Sequence, residues 1–395
     1  MSFNIALSGI QAINEQLEAV SNNIANAGTF GFKGSRANFS ALYTGDQANG
    51  VEIGSVTQNI GKAGSMQSTG RALDASIGGR GFFVSRDPSG AMNYSRVGIF
   101  AADNAGFLID SAGRKVQGYG PTVNGRLGTM GDIEIPTGQI AAQASSKVDF
   151  VGNVSADWAV PTAGFDATDP NSYNMVKQSV LYDSLGSQHT VSQYFVKSAT
   201  NAVDVYYGFD GAAPGGVGHT LSFDSVGKLD PASEKSAVQT LTPTNGAADL
   251  NFTIDYLGST QFAGQTSTTT NSTDGYASGT YVGVELAADG SVVARYSNEQ
   301  KQVVGTVALA TFANEDALNP ISDTSWEANA ASGLALYNTP GSGLAGKLNT
   351  GSLEGSNVDI TSELVGLMTS QRNYQANSKV ITTENQMMQA LMQAL

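Results

Sequence analysis

The sequence predicts an α+β protein that is mainly β, with nested β domains and an α-helix at each end, the two helices pairing as a coiled coil. Three observations carry this expectation. Apolar residues near the N-terminus recur in alternating steps of three and four. The C-terminus repeats that spacing. Between the ends the chain is rich in Gly, Ser, Thr and Asn, and short apolar runs are punctuated by turn residues.

The N-terminal seam is Phe3, Ala6, Ile10, Ile13, Leu17, Val20 and Ile24. A narrow stripe of this period is the signature of a helix that packs on another helix. Asn26, Gly28 and Gly31 end it. The C-terminal seam is Leu364, Leu367, Gln371, Tyr374, Ser378, Ile381, Asn385, Met388, Met392 and Leu395. Its polar members, Gln371, Ser378 and Asn385, favour a looser, register-specific contact. Asp359 or Thr361, with Glu363 nearby, offers the start of this helix a cap. Two core helices of one globular domain would explain the same stripes. Their narrowness and their place at the chain ends favour helices completed by each other and by further copies of the molecule.

Residues 29–71 read as an ordered but irregular connector, with Phe30, Phe32, Phe39 and Tyr43 among small polar residues. From Leu73 the pattern becomes strand and turn. Asp87-Pro88-Ser89-Gly90, Asp103-Asn104-Ala105-Gly106 and Asp110-Ser111-Ala112-Gly113 each supply hairpin chemistry, which predicts a meander. A second β region begins near Lys147, with strands expected at 191–196, 203–207 and 252–256 and a surface loop at 266–273. The expected domains are a helical one of 1–28 and 360–395, the connector 29–71, an inner β domain of 72–147 and 280–359, and an outer β domain inserted at 148–279.

Charge and composition exclude several classes of function. A formal net charge of −14 with no cluster of Lys or Arg argues against nucleic acid and anionic membranes as partners. No apolar run reaches the ~18 residues of a membrane span. The first basic residue is Lys33, so a cleaved secretory signal is not expected. There is no cysteine, hence no disulfide or thiolate metal site. Of the two histidines, His189 lies near Asp183 and Ser184, but a triad needs spatial proximity that the sequence does not supply. Gly341 to Lys347 imitates a phosphate-binding loop, yet Leu348 stands where a magnesium-holding hydroxyl is required. Asp103 to Gly106 lacks the carboxylates of a calcium loop, and Gly78 to Gly81 the spacing of a dinucleotide fingerprint. No enzyme, cofactor or metal is expected.

The chain ends carry a resemblance. Phe3 to Ile10, Ser21 to Ala27 and Gly31-Phe32-Lys33 resemble the N-terminal signature of the flagellar rod and hook axial proteins. Gly351 to Asp359, Glu363-Leu364-Val365 and Gln371 to Asn377 resemble their C-terminal signature. Leu73-Asp74 with Gly81 to Val84 looks like the shared inner β domain. Asp169 to Asn174, Tyr182 to Gly186 and Tyr194 to Lys197 look like the extra outer domain of the hook branch, as does Tyr296 to Gln300. The resemblance implies a hollow, flexible helical homopolymer, a universal joint carrying motor torque to the filament. It implies an assembly seam of Phe3, Ile10, Ile13, Leu17, Val20, Ile24, Leu364, Leu367, Tyr374, Ile381, Met388 and Met392. It further implies an extracellular place in the hook, export through the flagellar type III apparatus, and rod, hook-filament junction and hook cap proteins as partners. A distal rod subunit of the same family and an extracellular β-rich binding or adhesion module are the competing readings.

Overall fold

The computed structural model describes residues 2–44, 47–122, 125–230 and 236–394. The fold is mainly β with a long helix at each end: α1 (Ser2–Ala25) and α2 (Ile360–Ala394). Asp359 starts α2, accepting the Ser362 amide at 2.8 Å on its carboxylate, which satisfies an orphan N–H of the first turn. The chain divides into two compact units, one of 1–137, 283–295 and 301–395, the other of 138–282 and 296–300.

In the first unit, the residues after α1 form a long antiparallel hairpin, β1 (Ser35–Thr44) and β2 (Gln47–Gln58). This differs from the irregular connector expected there. Phe39 and Tyr43 are exposed, so their spacing does not report a buried face. Register shifts after Asn38 and Leu42 also break the two-residue period. The body of the unit is a thirteen-stranded sheet, whose central strands Phe82–Arg86, Met92–Ser95 and Lys115–Tyr119 pair antiparallel. Phe82, Tyr94, Phe312 and Trp326 form its aromatic core with edge-to-face contacts, ring centroids 4.8 to 6.0 Å apart. Trp326 also donates its indole N–H to Gln58 at 2.7 Å, fastening the base of the hairpin to that core. The returning C-terminal segment lies beside the incoming one. Lys347–Thr350 pairs with Ala75–Gly78, and Ser352–Glu354 with Met66–Ser68.

The second unit holds two four-stranded sheets. One is an antiparallel meander of Met175–Tyr182, Gln188–Ala199, Ala202–Phe209 and Val217–Ser222. The other sets Lys147–Asn153 between Leu250–Asp255, to which it is parallel, and Ser267–Thr273. The last strand corrects the loop expected at 266–273. Its threonines are β-branched, and at a sheet margin they do not need to be apolar to pair. Both sheets contribute to one core around Phe150, Phe195, Phe252 and Tyr256. The buried hydroxyl of Tyr256 donates to Gln193 at 2.7 Å and lies 2.9 Å from that of Tyr207, so no buried phenol is left unpaired in this group.

Five turns share one construction among the described residues. They open with Asp87, Asp103, Asp110, Asp183 and Asp224. In each, one carboxylate oxygen accepts the amides two and four positions on, at 2.7 to 2.9 Å. A glycine sits fourth with φ between 76° and 95°, the left-handed region that the closing bulge demands. The three turns read from the sequence, at Asp87, Asp103 and Asp110, are of this kind.

Candidate functional site: the joint at the base of the terminal helices

The terminal helices lie against each other and run antiparallel. The side chain of Asn23 donates to Glu363 at 3.1 Å, and Gly9 faces Asn377. Moving fourteen residues forward on α1 therefore moves fourteen back on α2. The line of α1 that is buried runs through Ala6, Gly9, Ile13, Val20 and Asn23. Small residues at Ala6, Gly9 and Ala12 let the helix backbones come close. A Cβ on Gly9 would sit 3.1 Å from the Asn377 amide, tighter than ordinary contact. Gly9→Ala gains about 0.5–1 kcal/mol of helix propensity that offsets this crowding, whereas Gly9→Val adds branches with no room and costs about 1–3 kcal/mol. Hydrogen exchange of the α1 amides should accelerate in Gly9→Val and not in Gly9→Ala.

Ser8 couples α1 to the hairpin. Its hydroxyl donates to the Ile5 carbonyl at 2.9 Å and accepts the Val51 amide at 3.2 Å. Of the seam residues expected from the sequence, Ile13 and Val20 are buried, while Ile10, Leu17, Ile24, Leu367 and Ile381 are half-buried. Phe3, Leu364, Tyr374, Met388 and Met392 are exposed. The continuation to Leu395 lies outside the described residues.

Where the helices meet the sheet, the chain closes on a buried ion triad. Lys33 Nζ lies 2.7 Å from Glu354 Oε1, and Arg96 Nε lies 2.8 Å from Glu354 Oε2. The Lys33 and Glu354 side chains are both fully withdrawn from solvent, at 0% exposure. The remaining donors turn to backbone carbonyls. Lys33 also donates to the Lys62 carbonyl at 2.8 Å, and Arg96 donates to the carbonyls of Ile77, Gly79 and Gly81. The Gly64 amide adds a third donor to the carboxylate at 3.0 Å. Burial alone would raise the Glu354 pKa. Arg96, Lys33 and the Gly64 amide outweigh it and hold the carboxyl below its usual range. Burial pulls the Lys33 ammonium the other way, below its ordinary value, against the attraction of Glu354. The carboxylate is the better-held charge, because three donors share it.

Backbone and amide bonds extend this knot. The Gly31 amide donates to the Glu354 carbonyl at 2.7 Å, and Gly31 takes φ 69° with Val97 packed where a side chain would stand. Asn357 accepts from the Gly34 amide at 2.8 Å and donates to the carbonyls of Asn59 and Lys62. Asn23, on α1, both donates to the Ser35 carbonyl and accepts the Ser35 amide at 2.8 Å. Segments 31–35, 59–64, 96 and 354–357 are thereby fixed to one another at the base of both helices. Sequence reasoning quoted Gly31-Phe32-Lys33 and Gly351 to Asp359 without assigning them this role. The available signal was a lone Lys and a lone Glu inside glycine-flanked segments, with no means of pairing them.

His189 is held by two carboxylates and not by a serine. Both nitrogens of His189 face carboxylates, Asp210 at 2.7 Å and Asp183 at 3.3 Å, while the Ser184 hydroxyl accepts the Ala248 amide at 3.1 Å. Lys347 opens a strand paired with Ala75–Gly78. Among the described residues no group of three or more acidic, His or Cys side chains is placed to hold a metal. No described helix is long and apolar enough to cross a membrane.

Residues 3–33 match the family described as flagella basal body rod protein, and residues 349–394 match the flagellar basal body rod FlgEFG protein C-terminal family. These two segments hold the helices and most of the joint, which places the chain among the axial proteins of the bacterial flagellum. Residues 76–156 match the flagellar hook protein FlgE/F/G D1 domain, and residues 153–276 the flagellar basal body protein FlaE D2 domain. The chain is 37% identical to flagellar hook protein FlgE of Salmonella typhimurium over 99% of both chains. It is 35% identical to the Escherichia coli protein, over 99% of both, and 30% identical to that of Treponema pallidum, over 98% of this chain and 97% of the other. The chain belongs to the flagellar hook protein family. The crystal structure of Helicobacter pylori flagellar hook protein FlgE2 shares the fold, with a TM-score of 0.54 at 13% identity, over 73% of this chain and all of the other.

Proposed function

We propose that this chain polymerises through its terminal helices into the hollow, flexible tube of the flagellar hook and passes motor torque along it. The observation that carries this reading is the joint. A polymer that is twisted at its wall must move force from the helices of each subunit into its β units, and an orienting buried ion triad is a stiff way to do so. Apolar residues left outward on the helices, among them Leu364, Tyr374, Met388 and Met392, supply surface for neighbouring copies. Contacts of that kind between unlike faces do not close on themselves, and they generate an open helix.

In this reading α1 and α2 form the coiled-coil wall of the lumen. Residues 72–147 and 280–359 make an inner layer, and 148–279 an outer layer that slides against its neighbours as the tube bends. The seam then comprises the residues expected from the sequence. The subunit leaves the cell by the flagellar type III route and meets rod, junction and cap proteins at the ends of the tube.

The test is assembly of the purified full-length chain under a kosmotropic salt, which strengthens apolar association. Electron microscopy should then show hollow, curved tubes. Straight rods would reassign the chain to the rod, and the absence of any polymer would remove the reading.

A further inference from the structure

The cluster around His189 is independent of the helices and the joint. It ties three separate parts of the second unit together. His189 stands at the start of Gln188–Ala199, Asp183 opens the preceding turn, and Asp210 follows Ala202–Phe209. From the 241–250 segment, Asn245 donates to Asp183 Oδ2 and, at 3.0 Å, to the Ser187 hydroxyl. The Asp183 carboxylate is fully withdrawn from solvent, and its other oxygen accepts the Leu185 and Ser187 amides at 2.9 and 2.8 Å. Asp210 binds Nδ1 of the ring with Oδ2 and accepts the Thr190 amide at 2.8 Å with Oδ1. Among the described residues neither aspartate has a second ion-pair partner.

An imidazole has two nitrogens, and only the protonated ring donates from both. Here both face carboxylate oxygens. A neutral ring must therefore turn one lone pair against a negative oxygen. The Asp210 contact is shorter, 2.7 Å against 3.3 Å, so the retained proton stays on Nδ1 and the lone pair faces Asp183. The arm that loses its attraction is the Asp183 turn with the Asn245 segment docked on it.

We propose that His189 is a proton-operated latch in the second unit: charged, it bridges Asp210 and Asp183 and pins the 183–187 turn and the 245–248 segment, and on losing its proton it releases them.

The electrostatics agree in direction. The hydrogen bond that the ring donates to Asp210 is the main reason that the His189 pKa lies above its ordinary value, with Asp183 adding to it against burial. Burial would raise Asp183, but Asn245, the Ser187 and Leu185 amides and His189 bring it down to about 2, so it stays ionised throughout the range in which the ring titrates. A histidine raised on folding contributes stability that is complete below about pH 6.5, its unfolded value, and is lost as pH rises through the folded value. The latch is thus closed in mildly acidic surroundings and open in alkaline ones.

The experiment follows the two histidine resonances of the full-length chain by NMR from pH 5.5 to 9.5, with amide exchange at Leu185, Ser187, Ala247 and Ala248. His189→Gln assigns the resonances. The His189 signal should titrate above 6.5, and Asp210→Asn should lower that value. Exchange at the four amides should accelerate across the same interval by about tenfold beyond base catalysis, the factor that about 1.4 kcal/mol of lost protection carries. In His189→Gln that extra acceleration should vanish. Titration of His189 at or below 6.5 would overturn the latch, as would equal acceleration in His189→Gln. If His189→Gln does not fold, Asp210→Asn still assigns the signal that it shifts, and no shift in either signal would overturn the proposal.

Discussion

Glu354→Ala is expected to destabilise the first unit by about 3–5 kcal/mol, because it leaves two buried cations without their counter-ion. Lys33 is entirely buried, and Arg96 retains 5% exposure, so water cannot replace the lost carboxylate without opening the joint. For a unit of this size the loss corresponds to a drop of roughly 10 °C in the melting midpoint. Glu354→Gln keeps the shape and one acceptor but not the charge, and should fall between the variant and the parent. The pH dependence has a definite sign. The carboxyl of Glu354 is depressed in the folded chain, so its contribution is full above its unfolded pKa of about 4.3 and disappears as pH falls through the folded value. Acid melts of the parent should steepen below about pH 4, and those of Glu354→Gln should lack that component. A variant as stable as the parent at pH 7 would deny the triad its role in holding the helices.

The double variant Met388→Asp, Met392→Asp is expected to abolish polymerisation while leaving the monomer's melting curve unchanged. These side chains are 57% and 74% exposed in the isolated chain. Exposed substitutions of this kind usually stay within about 0.5 kcal/mol in folding. Buried between copies, each unpaired carboxylate would cost several kcal/mol, enough to prevent addition of a subunit. Ile13→Asp gives the necessary contrast. Ile13 is only 6% exposed, so a charge there attacks the helix pair inside one chain and should lower the melting midpoint as well as assembly. Sedimentation and light scattering separate the two outcomes. Tubes of normal length from the double variant would refute the place of α2 in the seam.

Both terminal helices were legible in the sequence, since a step of three and four is a property of spacing alone. The line that α1 buries was harder to read. Beside Ala6, Ile13 and Val20, which the spacing picks out, it includes Gly9, Ala12 and Asn23, whereas a hydrophobic pattern weights Phe3, Ile10 and Leu17. Close approach selects small residues, and a count of large apolar ones misses them. The Asp-x-x-Gly turns at Asp87, Asp103 and Asp110 were legible because their chemistry is local. The strand Ser267–Thr273 was not, because a polar strand at a sheet margin has the composition of a loop. The joint was least visible of all. Lys33 and Glu354 are 321 positions apart, and each in isolation reads as surface charge. Only the return of Ser352–Glu354 beside Met66–Ser68 brings the carboxylate to the lysine.

The five aspartate turns bear on how quickly such a chain becomes ordered. Each is closed by groups no more than four positions apart, so its loop is short and loses little chain entropy on closing. Hairpins of this size form in about 1–10 μs. Pairings between remote segments, such as Ala75–Gly78 with Lys347–Thr350, must wait for a long diffusive search. The carboxylates are therefore expected to act as nucleation points that set strand register early, with the distant strands adding to hairpins already formed.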